Sequence, residues 1–302
     1  MLKYIGKKVL IAIATVFVLA TATFFLMKLI PGDPFLNDKI PVQDKQRAFY
    51  GLDKPVPQQY LTYMNNLLHG DLGYSIKKTG KTVVDIIKEA FPVSAKLGLI
   101  SLLFAEAVGL FFGILCAQFR GKWPDYLLMV VAVLGIALPS MVLGPILRMI
   151  FGVKLGILPV TGWGKPNQII LPALVLGLGT VAGNTRNMRA SMLAITTQDY
   201  VKTARAKGLS PIRVVLKHQF KNSLVPIIPN LGVQIAGVLM GSFVVESMFL
   251  IPGLGRYFVD SVTNLDYPLI MGLTVFYGAF LVTMNLIVDV LYGLIDPRIR
   301  VK

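Results

Sequence analysis

Few side chains in this chain have the type and setting to do chemistry. Glu106 stands inside the apolar run LGLISLLFAEAVGLFFGILCA, where an ionised carboxylate facing lipid is costly. It reads either as a group lining a polar path or as a hydrogen-bonded packing group at a helix contact, and the residue types leave both open. Ser140 follows Pro139 in a second apolar run and has no base beside it. His69 and His218 are single histidines without companions, and Cys116 is the one cysteine. That inventory excludes an intrachain disulfide and a cysteine-based metal cluster. Glu246 and Arg256 flank the end of a further apolar run, as outer contacts or as parts of a solvated loop. Arg148 and Asp289 lie near the ends of apolar runs and can snorkel to water. An intramembrane hydrolase needs paired acids or a serine with a base, and neither pattern occurs. A GxxxxGK[ST] phosphate loop is absent, so the chain is not itself an ATPase.

The denser signal is the stretch 199–226, DYVKTARAKGLSPIRVVLKHQFKNSLVP, which reads as two short helices meeting at a corner. Gly208 suits the left-handed position past a helix end. Ser210 offers an N-cap oxygen, and Pro211 follows at the first helical position, where a missing N–H costs nothing. Arg213, Lys217 and Lys221, each four apart, lie along one side of the second helix. Ile212, Val215, Leu216 and Phe220 form a face that wants a partner. Ala204 and Ala206 keep the first helix low enough for another body to approach. The alternative is a solvated basic loop that only fixes topology.

The elements that must position these residues are membrane spans. Of 302 residues, 55% are hydrophobic and 15% charged, with mean hydropathy +0.68; soluble domains average nearer ~25% charged. Runs long enough to cross a bilayer recur near 9–30, 93–119, 127–151, 169–189, 227–249 and 269–293. Ala20-Thr21-Ala22 resembles a signal-peptidase site, yet the apolar run continues past it, so the first span is expected to stay uncleaved until Pro31-Gly32-Asp33-Pro34. Pro139, Pro145, Pro172, Gly177 and Gly179 are expected to be tolerated inside spans. Between spans one and two, the segment 31–92 is soluble in character. It holds a helix over 57–68 and a second from Thr82, with Val83, Ile86, Ile87 and Ala90 on one face, expected to lie along the membrane surface.

Orientation follows from lysine and arginine. With an inside N-terminus, the inner segments carry Lys3, Lys7, Lys8, Arg120, Lys122, Arg186, Arg189, Lys202, Arg205, Lys207, Arg213, Lys217, Lys221, Arg298, Arg300 and Lys302. Against these stand Asp125, Asp199 and Asp296. The short outer loops 152–168 and 250–268 carry Lys154, Lys165 and Arg256. The bundle is therefore all-α with both termini inside, and this asymmetry accounts for most of the net charge of +15 without nucleic acid. A helix-turn-helix reading of 199–226 fails because both of its ends are tethered to spans.

The corner resembles the coupling loop of ABC-importer permeases, whose motif is Glu-Ala-Ala followed after three residues by Gly. The matching positions here are Lys202-Thr203-Ala204, Arg205-Ala206-Lys207 and Gly208. The form TARAKG is similar to the oligopeptide/dipeptide branch. So are PGDP (31–34), GLDKPVPQQY (51–60), LLHGDLGYSI (67–76), LGILPVTGWG (155–164), RNMRASML (186–193), ESMFLIPGLGRYFVDSV (246–262) and YGLIDPRIR (292–300). The resemblance runs from end to end and is to the oligopeptide permease B type.

It implies a type I ABC-importer permease fold of about six spans in a bacterial cell membrane. An N-terminal tail and first helix (1–30) precede an extracytoplasmic segment (31–92) and a five-helix core (93–302) with its coupling loop at 190–226. It implies a second homologous permease, two cytoplasmic ATPase subunits carrying ATP and Mg, an extracytoplasmic binding protein, and a peptide cargo. This chain would bind no cofactor of its own. Thr203, Ala204, Arg205, Ala206, Lys207, Gly208, Ser210, Pro211, Arg213 and Lys217 would couple to the ATPases. Glu106, Pro139 and Ser140 would line the path, where Glu106 could meet a peptide's amino terminus or basic side chain. Glu246 and Arg256 would face outer partners. Relatives of this architecture carry nickel and other small cargoes. An ion-coupled secondary transporter is the rival reading, for which Glu106 is thin support and a basic docking loop has no role.

Overall fold

A computed structural model describes residues 2–29 and 51–295. The proposed stop at 31–34 and the terminal residues Asp296, Arg298, Arg300 and Lys302 fall outside that range. Among the described residues every regular element is helical. Four helices are long and apolar enough to cross a membrane, or six spans if each of two bent pairs counts as one. The chain divides into two compact units, Met1–Val93 with Pro252–Lys302, and Ser94–Ile251.

In the first unit, α1 (Leu2–Leu29) runs unbroken through Ala20-Thr21-Ala22 and packs on α12 (Tyr267–Ile295). A Cβ at Gly278 of α12 would collide with Leu19, so glycine sets how closely the two helices approach. The amphipathic helix α2 (Val56–Leu68) lies against the end of α1. Phe24 is buried there among the rings of Phe25, Tyr60 and Tyr63, and Thr21 Oγ1 bonds Tyr60 Oη at 2.9 Å. Burial, with Tyr60 adding to it, pushes the Tyr63 phenol up to about 12, so it stays neutral.

The expected surface helix is instead the start of one continuous helix, α3 (Val83–Gln118), with Pro92 inside it. The anticipated face Val83, Ile86, Ile87 and Ala90 is buried within the protein rather than laid on lipid. Val83 packs against Gly272 of α12, and Phe91 meets Phe276 and Phe280 edge to face. The short α11 (Leu254–Thr263) carries Arg256, paired with Asp260 at 3.7 Å.

Asp266, at the head of α12, organises the loop before α3. Its buried carboxylate accepts from the Ser75 hydroxyl, from Ile76 N at 3.0 Å, from Lys77 N at 3.2 Å and from Leu269 N at 3.4 Å. One side chain thus caps a membrane helix and fixes the turn that closes with the Tyr74–Thr82 bridge.

In the second unit, two expected single spans are broken. Pro139 has no N–H and forces Leu138 into extended backbone (φ −89°, ψ 114°). The helix therefore bends by 112° between α4 (Trp123–Ala137) and α5 (Ser140–Leu147), which runs on through a wide π segment, Arg148–Lys154. Pro139 is a breaker here, not a tolerated interior residue. Pro172, by contrast, does sit inside α6 (Asn167–Thr196). The expected span 227–249 is divided at Gly241, whose φ of 82° separates α9 (Ile228–Leu239) from α10 (Phe243–Phe249). Arg148 does not snorkel. Its guanidinium donates to Met248 O at 2.9 Å and lies over the Phe249 ring, holding the end of α10.

Asp266→Ala removes the acceptor for four donors, so the loop 71–82 should lose about 2–3 kcal/mol of local stability. The expected outcome is faster tryptic cleavage at Lys77, Lys78 and Lys81 in detergent-purified protein, with α12 still inserted. Cleavage at the wild-type rate would show that the carboxylate is not what holds the loop.

Candidate functional site

The corner is built on α6. Beyond Thr196 the chain turns into α7 (Asp199–Ala206), and α7 ends in a left-handed glycine. Gly208 has φ +74°; its N–H bonds Arg205 O at 2.9 Å, and Leu209 N reaches back to Ala204 O at 3.4 Å. These two bonds with the Leu209–Ala204 apolar contact form a Schellman cap. A Cβ at position 208 would meet nothing within 4 Å, so the demand for glycine is purely a backbone demand. Pro211 opens the second helix as expected, but Ser210 makes no side-chain cap bond.

That second helix, α8, runs from Pro211–Arg213 through a π segment, Val214–Phe220, to Lys221–Ser223. The wider turn brings residues five apart into line. Val214 and Gln219 are therefore the buried positions of the π segment, and Val215 and Phe220 pack against Met188, Met192 and Ile227. Ile212 and Leu216, expected on the same face, remain 72% and 59% exposed. Ala204 is not a low outer surface; it is buried with Val201 and Val214 in the corner's own small core. Thr203, Arg205, Ala206, Lys207, Gly208, Ser210, Pro211, Arg213 and Lys217 are all exposed. The corner thus presents apolar Ile212 and Leu216 among cations on a rigidly based surface.

Its base is polar and well connected. Gln219 is fully buried, donating to Thr196 Oγ1 at 3.1 Å and accepting from Gln118 at 3.2 Å. Ser191 donates to Ser223 O at 2.9 Å. One turn away, Asp125 is 2% exposed and receives both Arg189 Nε and Arg189 Nη2 at 2.7 Å, with Gly121 N at 3.0 Å. The bidentate pair fastens the turn before α4 to α6.

Glu106 lies farther along α3. It is half-buried, and its Oε1 accepts from Asn184 Nδ2 at 2.7 Å. Asn184 Oδ1 in turn accepts from Gln234 Nε2 at 3.2 Å. Three helices, α3, α6 and α9, therefore meet at one polar cluster. Pro139 is exposed at the α4–α5 break and Ser140 is partly covered beside it. Among the described residues neither hydrogen-bonds to Glu106, whose partner is Asn184, so the three expected path residues do not form one group.

Glu246 is fully buried, its Oε1 accepting from Ser242 N at 3.3 Å at the start of α10. A Cβ at Gly241 would strike that carboxylate. Glu246 shapes a helix start and is not an outward contact. Arg256, at a side-chain exposure of 37%, remains accessible. Sequence reasoning missed Asp266, Asn184, Gln234 and the Asp125–Arg189 pair. The Gly109-x-x-x-Gly113 spacing was a visible signal for Asn184 and for the stretch of α6 that carries Arg189, because it fixes where α3 touches α6.

Two family models match the chain. Residues 109–301 match the binding-protein-dependent transport system inner membrane component, and residues 1–98 match the N-terminal part of such membrane components. The chain belongs to this family. It is a multi-pass inner-membrane protein of the ABC-importer permease class. It is 43% identical to the dipeptide transport system permease protein DppB of Bacillus subtilis (strain 168), covering 99% of this chain and 98% of that one. It is also 43% identical to the oligopeptide transport system permease protein OppB of Haemophilus influenzae, covering 99% and 100%. A chain of the MetNI methionine ABC transporter in an inward-facing conformation shares the fold, with TM-score 0.52 and 17% identity over 68% of this permease and 96% of that chain. A chain of an amino acid ABC transporter does likewise, with TM-score 0.52 and 18% identity over 71% and 94%.

The Schellman cap yields a direct test. Gly208→Val forces a β-branched residue into a left-handed backbone at a cost of ~1–2 kcal/mol, whereas Gly208→Asn tolerates that conformation. The valine variant should insert normally but be cut faster by trypsin at Lys207 and Arg213, with the asparagine variant near wild type. Equal resistance in all three would remove the conformational argument for glycine.

Proposed function

We propose that this permease is one of two homologous membrane subunits of a peptide importer and forms half of the translocation pathway. The near full-length identity to permeases named for dipeptide and oligopeptide transport carries the reading. In it, two cytoplasmic ATPase subunits bind ATP and Mg and receive the corner 199–226. Ile212 and Leu216 fill an apolar groove, and Arg213, Lys217 and Lys207 meet acidic groups at its rim. An extracytoplasmic binding protein delivers peptide to the opposite face, where the segment 31–92 and Arg256 lie. The coupling loop 190–226 and both termini are inside. ATP-driven closure of the ATPases then pushes α7 and α8 as one piece, because Val201, Ala204 and Val214 lock them together. Gln219 and Ser223 carry that displacement to α6.

Reconstitution with its companion permease, ATPases and binding protein tests the reading. Uptake of labelled di- and oligopeptides should require ATP and persist when the proton gradient is collapsed. Uptake that survives ATP depletion and follows the gradient would identify a secondary transporter. Uptake of nickel in place of any peptide would reassign the cargo. In a Cys116→Ala background, a cysteine at exposed Thr79 should react with an impermeant thiol reagent on intact cells and one at Ser210 should not. The reverse pattern would invert the topology.

Gly208→Val should further lose most substrate-stimulated ATP hydrolysis while keeping membrane integration. Arg213→Ala should be mild, since one exposed ion pair contributes about 0–1 kcal/mol. Normal coupling in the valine variant would reduce the corner to a topological loop.

A further inference from the structure

The Glu106 cluster is incompletely satisfied in a specific way. Asn184 uses its amide to donate to Glu106 Oε1 and its carbonyl to accept from Gln234. That leaves Glu106 Oε2 and Gln234 Oε1, both shielded from solvent and neither accepting a hydrogen bond. Buried acceptors of this kind normally find donors, and each one left unmet destabilises the fold. Both orphan atoms are oxygens, one on a carboxyl group of α3 and one on an amide of α9. Asn184, 1% exposed on α6, links the two side chains by hydrogen bonds. Gly109, one turn along α3 from Glu106, lets Asn184 come this close, since a Cβ there would lie 2.7 Å from Asn184 Cβ.

We infer that Glu106, Asn184 and Gln234 form a subsite for a primary ammonium group, with Glu106 Oε2 and Gln234 Oε1 accepting two of its three N–H donors. A primary ammonium supplies compact charge and several donors at once, the complement of a carboxylate beside an amide oxygen. A carboxylate-bearing or purely apolar ligand group offers no donor to either oxygen. On the peptide-import reading, on which this inference rests, the group is the peptide's amino terminus or a lysine side chain. The subsite is a waypoint within the membrane, so its hold must be strong enough to orient the peptide and weak enough to release it.

The test uses the assembled importer in vesicles without its binding protein, so that delivery preferences do not enter. Dicyclohexylcarbodiimide labels carboxyl groups at membrane depth, and its adduct on Glu106 is read by mass spectrometry. Di-, tri- and tetra-alanine should slow that labelling. Their N-acetyl forms should protect about tenfold more weakly, which corresponds to about 1.4 kcal/mol. N-acetyl peptides ending in lysine separate the two sources, protecting only if side-chain ammonium is accepted. Gln234→Leu should leave Glu106 reactive while reducing protection by the free-amine peptides. Equal protection by free and acetylated peptides, no protection by any peptide, or failure of Glu106 to label would each overturn the subsite. Those results are independent of whether the complete importer moves peptide, which decides the transport reading by itself.

Discussion

The close approach of α3 to α6 is the constraint on which the second unit depends. Lipid tails are as apolar as leucine, so apolar burial gives two helices in a bilayer little reason to associate. Contact must come from backbones that can meet. Gly109 and Gly113, one helical turn apart, provide it: any Cβ at these positions would intrude on Val181, Asn184, Thr185 or Met188. The backbone at Gly109 is then near enough for its carbonyl to receive the Thr185 hydroxyl at 3.3 Å. Several buried polar contacts of this unit follow the same seam, with the Glu106–Asn184 contact on one side of the glycines. Asp125–Arg189 and Gln118–Gln219 lie on the other.

The seam explains why the corner can act as a rigid end-piece. Its first helix is closed by the Gly208 cap, its second is keyed by Gln219, and both rest on Met188, Met192 and Ile227 or on the smaller core around Val201. Asp125–Arg189 serves a different purpose. A buried ion pair adds little net stability, since desolvation offsets most of its attraction, but breaking it is expensive. It therefore selects one register of α4 against α6 over its neighbours. The bidentate geometry and the third bond from Gly121 make that register specific.

Much of this was legible from residue types. The α2 helix begins within one residue of its expected start, Val83, Ile86, Ile87 and Ala90 do share one apolar face though it meets protein and not lipid, and the left-handed role of Gly208 follows from its place after a short polar helix. The failures share a cause. Hydropathy runs continuously through Pro139 and Gly241, so the breaks there are invisible to a window of apolar residues, although each breaker was in plain view. The π segment in α8 is likewise set by tertiary demand: burying Gln219 beneath α6 rotates Leu216 outward, which no 3.6-residue pattern anticipates. Charge counting assigned Asp125 and Arg189 to inner segments but could not see that they pair with each other. Asp266 and Glu246 look like ordinary loop acids until their burial is known.

The fate of individual cations separates structure from function better than their number does. Arg189 is committed to Asp125, Arg148 to the end of α10, and Lys202 to Asp199 at 3.0 Å. Among the described residues, Arg205, Lys207, Arg213, Lys217 and Lys221 enter no ion pair, and all are exposed, as are Ile212 and Leu216. Nothing in the packing of the described residues requires positive charge at those five positions, and like charges held close on one small corner repel. The expected orientation uses some of them, but the positive-inside rule sets no requirement on where they sit relative to an apolar pair. Exposed cations beside two exposed aliphatic side chains are what the proposed docking role calls for: apolar area that gains by burial, and charge that steers an acidic counterpart.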